Sequence, residues 1–244
     1  MTLPVPVVPP LVPPVVPPPV GRRYLQAPVP IHFPVSEELP ETARHWKART
    51  VLAESIQHAF GEHALVSCDQ FLYWDANDPK RMLAPDVAFR VGAPSDVLDC
   101  WKTWERGAPH VGVEIISGSD ASEMRFEEKL ARYRPAGVRE MVRYDWDERE
   151  RPIRIWDRVE GDLVERELAE AETFRCDVLG WYWCEKEDPE LGLTLRLARN
   201  PDATEFVLTP LEAERAATAA ALAAKDAALE RIAELEAELA GRRT

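Results

Sequence analysis

Pro85-Asp86-Val87-Ala88-Phe89 and Val111-Gly112-Val113-Glu114-Ile115-Ile116-Ser117 each set one carboxylate in or beside an apolar, β-prone run. An ionised carboxylate is costly there unless a cation or hydrogen bonds replace the water it loses. Two such positions, on segments that can be neighbouring strands, are what a divalent-metal site requires. The rest of the chain reads as a scaffold for that pair with two appendages.

Outward from the pair, the flanking segments alternate between strand and helix signals. Ser36 with Glu37 and Glu38, then Glu41 onward, reads as the start of a helix running to about Phe60, along which Ala48, Leu52, Ser55, Ile56 and Ala59 recur at helical spacing and which Gly61 ends. His45 and Glu54 fall on it. Residues 64–74 alternate as one strand, Asp75 to Pro79 is turn chemistry, and 82–91 reads as a second strand with Asp86 near its start. Proline is tolerated at a strand start because the missing donor lies at the edge of the ladder. A short helical turn is expected around 99–104, and 111–116 is apolar enough for a central strand.

Ser117 to Asp120 offers a cap for a helix over about 121–135, on which Arg125, Lys129 and Tyr133 share a face. A strand over 140–145 follows. Residues 153–159 and 163–168 then form a hairpin about Gly161-Asp162. The aromatic segment 174–184 reads as a further strand or a packing segment, and residues 193–197 as one more strand.

The two ends differ in composition. Residues 1–34 hold 12 of the 22 prolines, which predicts an extended polyproline arm, a solvated spacer or a ligand for a proline-recognising groove. Residues 210–240 are rich in Ala, Glu and Leu. Leu222, Leu229, Ile232, Leu235 and Leu239 lie on one stripe at about 3.5-residue spacing, as in a coiled coil. Either a homodimer seam or a helix folding back on its own domain satisfies that stripe. The boundaries drawn are 1–35 for the arm, 36–205 for the folded domain and 206–244 for the helical tail.

Composition narrows the function. The 244 residues suffice for one domain of roughly 150–180 residues with extensions. A formal charge of −13 excludes a broad, non-specific nucleic-acid surface, though not a local basic groove. Cys68, Cys100, Cys176 and Cys184 form no CxxC and are expected as reduced, packed thiols of a cytoplasmic protein. No run reaches the roughly 20 apolar residues of a membrane span, and the proline-broken N-terminus does not read as a signal peptide. Zinc finger, basic helix and clear helix-turn-helix are all missing from the sequence.

The ordered motifs then point to a family. Pro85-Asp86, Val113-Glu114-Ile115-Ile116-Ser117, Lys129, Tyr133, Gly137-Val138, Glu140 and Tyr144-Asp145 resemble the Uma-two (Uma2) family of putative restriction endonucleases, in the PD-(D/E)XK nuclease superfamily. The resemblance spans roughly residues 40–200. It implies an α/β (α+β) fold, a restriction-endonuclease-like mixed central sheet flanked by helices. It also implies a magnesium- or manganese-dependent endonuclease acting on DNA. Asp86, Glu114 and the Ile115 carbonyl are then the metal ligands, and Asp86, Glu114 and Lys129 the catalytic set. The superfamily lysine two residues after the acid is Ile116 here, a gap the Uma-two pattern shares, and Lys129 is the candidate to replace it. Tyr133 is expected to pack or to position phosphate, with packing favoured, and Asp145 to hold a turn or support the ligands rather than bind metal directly. The competing expectation is a nuclease fold without turnover, binding partners through its arm and tail. Divalent-metal binding and metal-dependent nicking separate the two.

Overall fold

The computed structural model describes residues 42–116, 123–167 and 173–242, leaving aside the side chains of 123–125. The proline arm, the start of the folded domain at Ser36 and the Ser117–Asp120 cap lie outside the described residues.

The architecture is mixed α+β. A six-stranded sheet runs in the order β1-β4-β6-β7-β8-β9, from β1 (Ala64–Cys68), β4 (Val87–Val91), β6 (Val111–Ile115), β7 (Glu140–Tyr144), β8 (Ile153–Val159) and β9 (Asp162–Glu165). Among the described strands of this sheet only β6 and β7 pair in parallel, and helix α3 (Glu123–Ala136) is the crossover that joins them. Helix α1 (Ala43–Phe60) covers one face, where Leu52 and Ile56 meet Val87, Phe89, Val113 and Ile115. Helix α3 covers the other, with Phe126, Leu130 and Tyr133 against Ala88, Met141 and Trp156. Sandwiched this way, β6 is buried at every position.

A second sheet of β10 (Arg175–Cys176), β11 (Trp181–Asp188) and β12 (Gly192–Ala198) adds Trp183, Leu195 and Leu197 to the core on the α1 side. A third, small sheet is made of β2 (Leu72–Tyr73), β3 (Met82–Leu83) and β5 (Trp101–Lys102), with the short helix α2 (Thr103–Arg106) after it.

Three expected strands divide. Residues 64–74 become β1 and β2 because Asp69 adopts φ +51° and turns the chain between two sheets. Residues 82–91 become β3 and β4, with Pro85 and Asp86 between them. The amide of Asp69 donates to the Pro85 carbonyl at 3.0 Å, which pins that junction. Residues 174–184 likewise split into β10 and β11 around Gly180, φ +69°.

Helix α4 (Pro210–Gly241) begins with a capping box between Thr209 and Glu212. Arg196 grips the Glu212 carboxylate at 2.6 and 3.0 Å, and Lys186 reaches it at 2.6 Å. Burial alone would raise this carboxyl, but those bonds outweigh it and hold Glu212 well below the usual range. From Glu214 to Arg242 every residue of the helix is exposed, so the described part of the domain does not cover its apolar stripe. Among the described residues no helix is long and apolar enough to cross a membrane.

Candidate functional site

Asp86 and Glu114 meet because of register. Val87 pairs with Val113 in the antiparallel β4–β6 ladder, so one step further along sets Asp86 beside Glu114 at the C-terminal end of β6. Asp86 Oδ2 accepts the Ile115 amide at 2.7 Å, which ties the junction before β4 to the residue after Glu114. Both carboxylates are buried.

Helix α3 supplies the partners of Glu114. Lys129 and Tyr133 are one turn apart and reach the same carboxylate. The Lys129 ammonium donates to Oε2 at 2.9 Å and the Tyr133 hydroxyl to Oε1 at 2.7 Å. Tyr133, expected to pack, therefore packs and binds. Its ring comes this close to β6 because residue 112 is glycine. A Cβ there would stand 2.5 Å from the Tyr133 ring. The Glu114 side chain is 2% exposed and that of Lys129 35%, so the cation opens toward solvent while the carboxylate does not.

These surroundings set the charge state. Burial pushes Glu114 up to about 7; Lys129 opposes that rise, Asp86 adds to it, and the Tyr133 hydrogen bond opposes it further. Tyr133 is itself driven well above the ordinary phenol range, by burial first and then by the Glu114 charge.

Helix α1 contributes a residue that the sequence placed on the helix without a role. His45 Nε2 lies 2.8 Å from the Ile115 carbonyl oxygen and 3.3 Å from Asp86 Oδ2. Thr42 caps the helix by accepting the His45 amide, so the imidazole is fixed at the first turn. The signal was present: His45 stands three residues before Ala48 and seven before Leu52, on the buried stripe. Trp146 packs edge-on to His45, with the Arg44 guanidinium 4.2 Å above its ring.

The remaining candidates sort plainly. Ile115 presents its carbonyl to the site, where His45 meets it. Glu54 is exposed on α1 and takes no part. Asp145 accepts from Arg143 at 3.0 Å and from the Asp147 amide at 3.1 Å, a turn-holding role. The side chain of Arg125 lies outside the described residues. Ile116 is a buried apolar residue, so its position supplies no cation. Cys68, Cys100, Cys176 and Cys184 form no disulfide among the described residues. Among the described residues, no three His, Cys, Asp or Glu side chains group as a ready-made metal cage.

Residues 35–187 match the family Uma2, described as "Putative restriction endonuclease". No curated protein matches the chain. Among solved structures, one that is similar is a "putative nuclease belonging to DUF820" from Anabaena variabilis ATCC 29413. It is 12% identical, with 59% of this chain and 77% of that chain covered and a TM-score of 0.43. The family match takes in the junction at Asp86, strand β6, helix α3 and strand β7, and the chain belongs to the Uma2 family.

Proposed function

We propose that the protein is a divalent-metal-dependent endonuclease that hydrolyses phosphodiester bonds in DNA, with its centre at the C-terminal end of β6. The observation that carries this reading is the pair of buried carboxylates tied together through Ile115, with Lys129 standing on one and His45 on the other.

The donor chemistry fits a hard cation. Asp86, Glu114 and the Ile115 carbonyl offer oxygens only, and magnesium commonly binds through one or two carboxylates while keeping several waters. A full protein cage is therefore not required. Magnesium or manganese bound by these three groups would activate a water and offset charge on the scissile phosphate.

The chain's own residues do the rest. Lys129, partly exposed where it donates to Glu114, brings its ammonium to the mouth of the site, where it would serve a phosphate or an attacking water. It thereby takes the part that Ile116 cannot. His45 holds Asp86 and the Ile115 carbonyl in a fixed relation, and Tyr133 does the same for Glu114. These two fix the ligand geometry from opposite faces of the sheet.

The test is supercoiled-plasmid nicking by the purified chain with magnesium or manganese, against a chelated control. Cleavage should need the metal, and Glu114→Ala and Asp86→Ala should abolish it. Lys129→Ala should lower turnover by about 10²–10³-fold, the scale of losing one electrostatic group. Equal cleavage by wild type and Glu114→Ala would refute the assignment. Metal or DNA binding without cleavage would instead favour a nuclease fold retained for binding or assembly.

A further inference from the structure

The stripe on α4 is not simply apolar; it is a palindrome of layers. In heptad terms Leu222 and Leu229 occupy a positions and Ile232 and Leu239 occupy d positions. Two seam positions break the pattern with charge, Lys225 at d and Glu236 at a. All six are exposed, and the five large aliphatic residues of the stripe, including Leu235, are each 42–57% exposed. Every residue of this part of the helix is exposed.

Consider a two-fold axis passing between Glu230 and Arg231. An antiparallel copy then sets Leu222 against the partner's Leu239, and Leu229 against the partner's Ile232. The two off-pattern residues also meet, Lys225 against the partner's Glu236, twice by symmetry. Leu235 on the flank faces the partner's Ala228, a large side chain against a small one. A parallel pair would instead oppose Lys225 to the partner's Lys225 and Glu236 to the partner's Glu236, inside the seam and twice unfavourable. The charges thus choose both the orientation and the register.

Length agrees with this arrangement. The paired stretch runs from Ala220 to Gly241, about 33 Å of helix at 1.5 Å per residue. The partner's tip ends opposite Ala220, so the first turns of α4, held by Arg196 and Lys186 against the domain, stay clear. The two helix roots then lie about 60 Å apart.

We infer that α4 is a self-association element, through which two copies of this chain join as an antiparallel coiled coil centred between Glu230 and Arg231. The occupant of the stripe is a second copy, because the sequence of one helix supplies the complement of every seam position. The inference stands apart from the nuclease reading and needs no activity for its test.

Sedimentation equilibrium of the full chain, over a micromolar concentration series, should show a species of twice the 27.6 kDa chain mass. Lys225→Glu and Glu236→Lys should each weaken association roughly tenfold, and mixing the two variants should restore it. Disulfide trapping fixes the orientation. Leu222→Cys mixed with Leu239→Cys should cross-link, whereas Leu222→Cys alone should not. All these positions are exposed, so an unchanged circular dichroism spectrum of the monomer verifies folding. A chain that stays monomeric through the series, self-linking of Leu222→Cys, or a Lys225→Glu variant that associates like wild type would overturn the proposal.

Discussion

Glu114 and Glu140 make a natural pair. Both are almost fully buried glutamates on the two parallel strands at the centre of the sheet, at opposite ends of that ladder. Burial raises the pKa of both above the usual carboxylate range. Their company differs. Glu140 accepts the Trp183 indole at 2.9 Å and the Asp177 amide at 3.0 Å, with Arg166 at 3.5 Å. That guanidinium also forks onto Asp157, its neighbour across the β7–β8 ladder. The donors there are a backbone amide, an indole ring, a planar guanidinium and the buried Cys176 thiol. Glu114 has a half-open ammonium, a phenol, and a second carboxylate tied to the next residue. One is a peg between sheets; the other is a place where charge can be rearranged. Burial alone does not distinguish the two; the chemistry and exposure of the partners do, with Lys129 35% exposed and Arg166 16%.

The largest expected effect tests that distinction at the peg. Glu140→Ala leaves the Trp183 indole and the Asp177 amide without their acceptor, while Arg166 keeps Asp157, and should cost about 2–5 kcal/mol of unfolding free energy. Urea unfolding measures it. Nicking per folded molecule should be unchanged. A Glu140→Ala variant with normal stability and no cleavage would break the comparison.

Next in size is Gly112→Ala. The new methyl would sit 2.5 Å from the Tyr133 ring, which is rigid and buried on all sides. Overpacking of this kind costs about 1–3 kcal/mol. Because the ring must move, its hydrogen bond to Glu114 should weaken too, so stability and nicking should fall together. A variant equal to wild type in both would show that α3 slides freely over β6, which Lys129 and Tyr133 acting together on Glu114 do not permit.

Much of this was legible in the sequence, for identifiable reasons. Periodicity exposed α1, α3 and α4, and the acid in an apolar run exposed Asp86 and Glu114. Helical phase set Lys129 on one face with Tyr133, and the family resemblance singled it out. What stayed hidden depended on contacts between distant segments. The division of 64–74 rests on the left-handed backbone at Asp69, a conformation that Asp tolerates but does not announce. His45 lies 70 residues from the carbonyl it meets, so its phase on α1 was visible and its partner was not. The function of Glu140 as a peg depends on donors 37 and 43 residues further along the chain.

The smallest effect is the most discriminating, and it belongs to Tyr133→Phe. The ring stays and only the hydroxyl leaves, removing one donor from Glu114 Oε1, a loss of roughly 1 kcal/mol. The sign of the pH dependence follows from the direction of the shift. Glu114 is raised from 4.5 to about 7 in the folded, metal-free protein. Between those values the native state keeps a proton that the unfolded chain releases, so stability is full below 4.5 and declines as pH rises through 7. The Tyr133 hydroxyl stabilises the charged form, so its removal should push the Glu114 titration higher and extend the decline to more alkaline pH. Urea unfolding of chelated protein across that range measures the slope. Glu114→Gln should flatten it, whereas a slope that persists in Glu114→Gln would belong to another group. In that case the resemblance between Glu114 and Glu140 would be closer than their partners suggest.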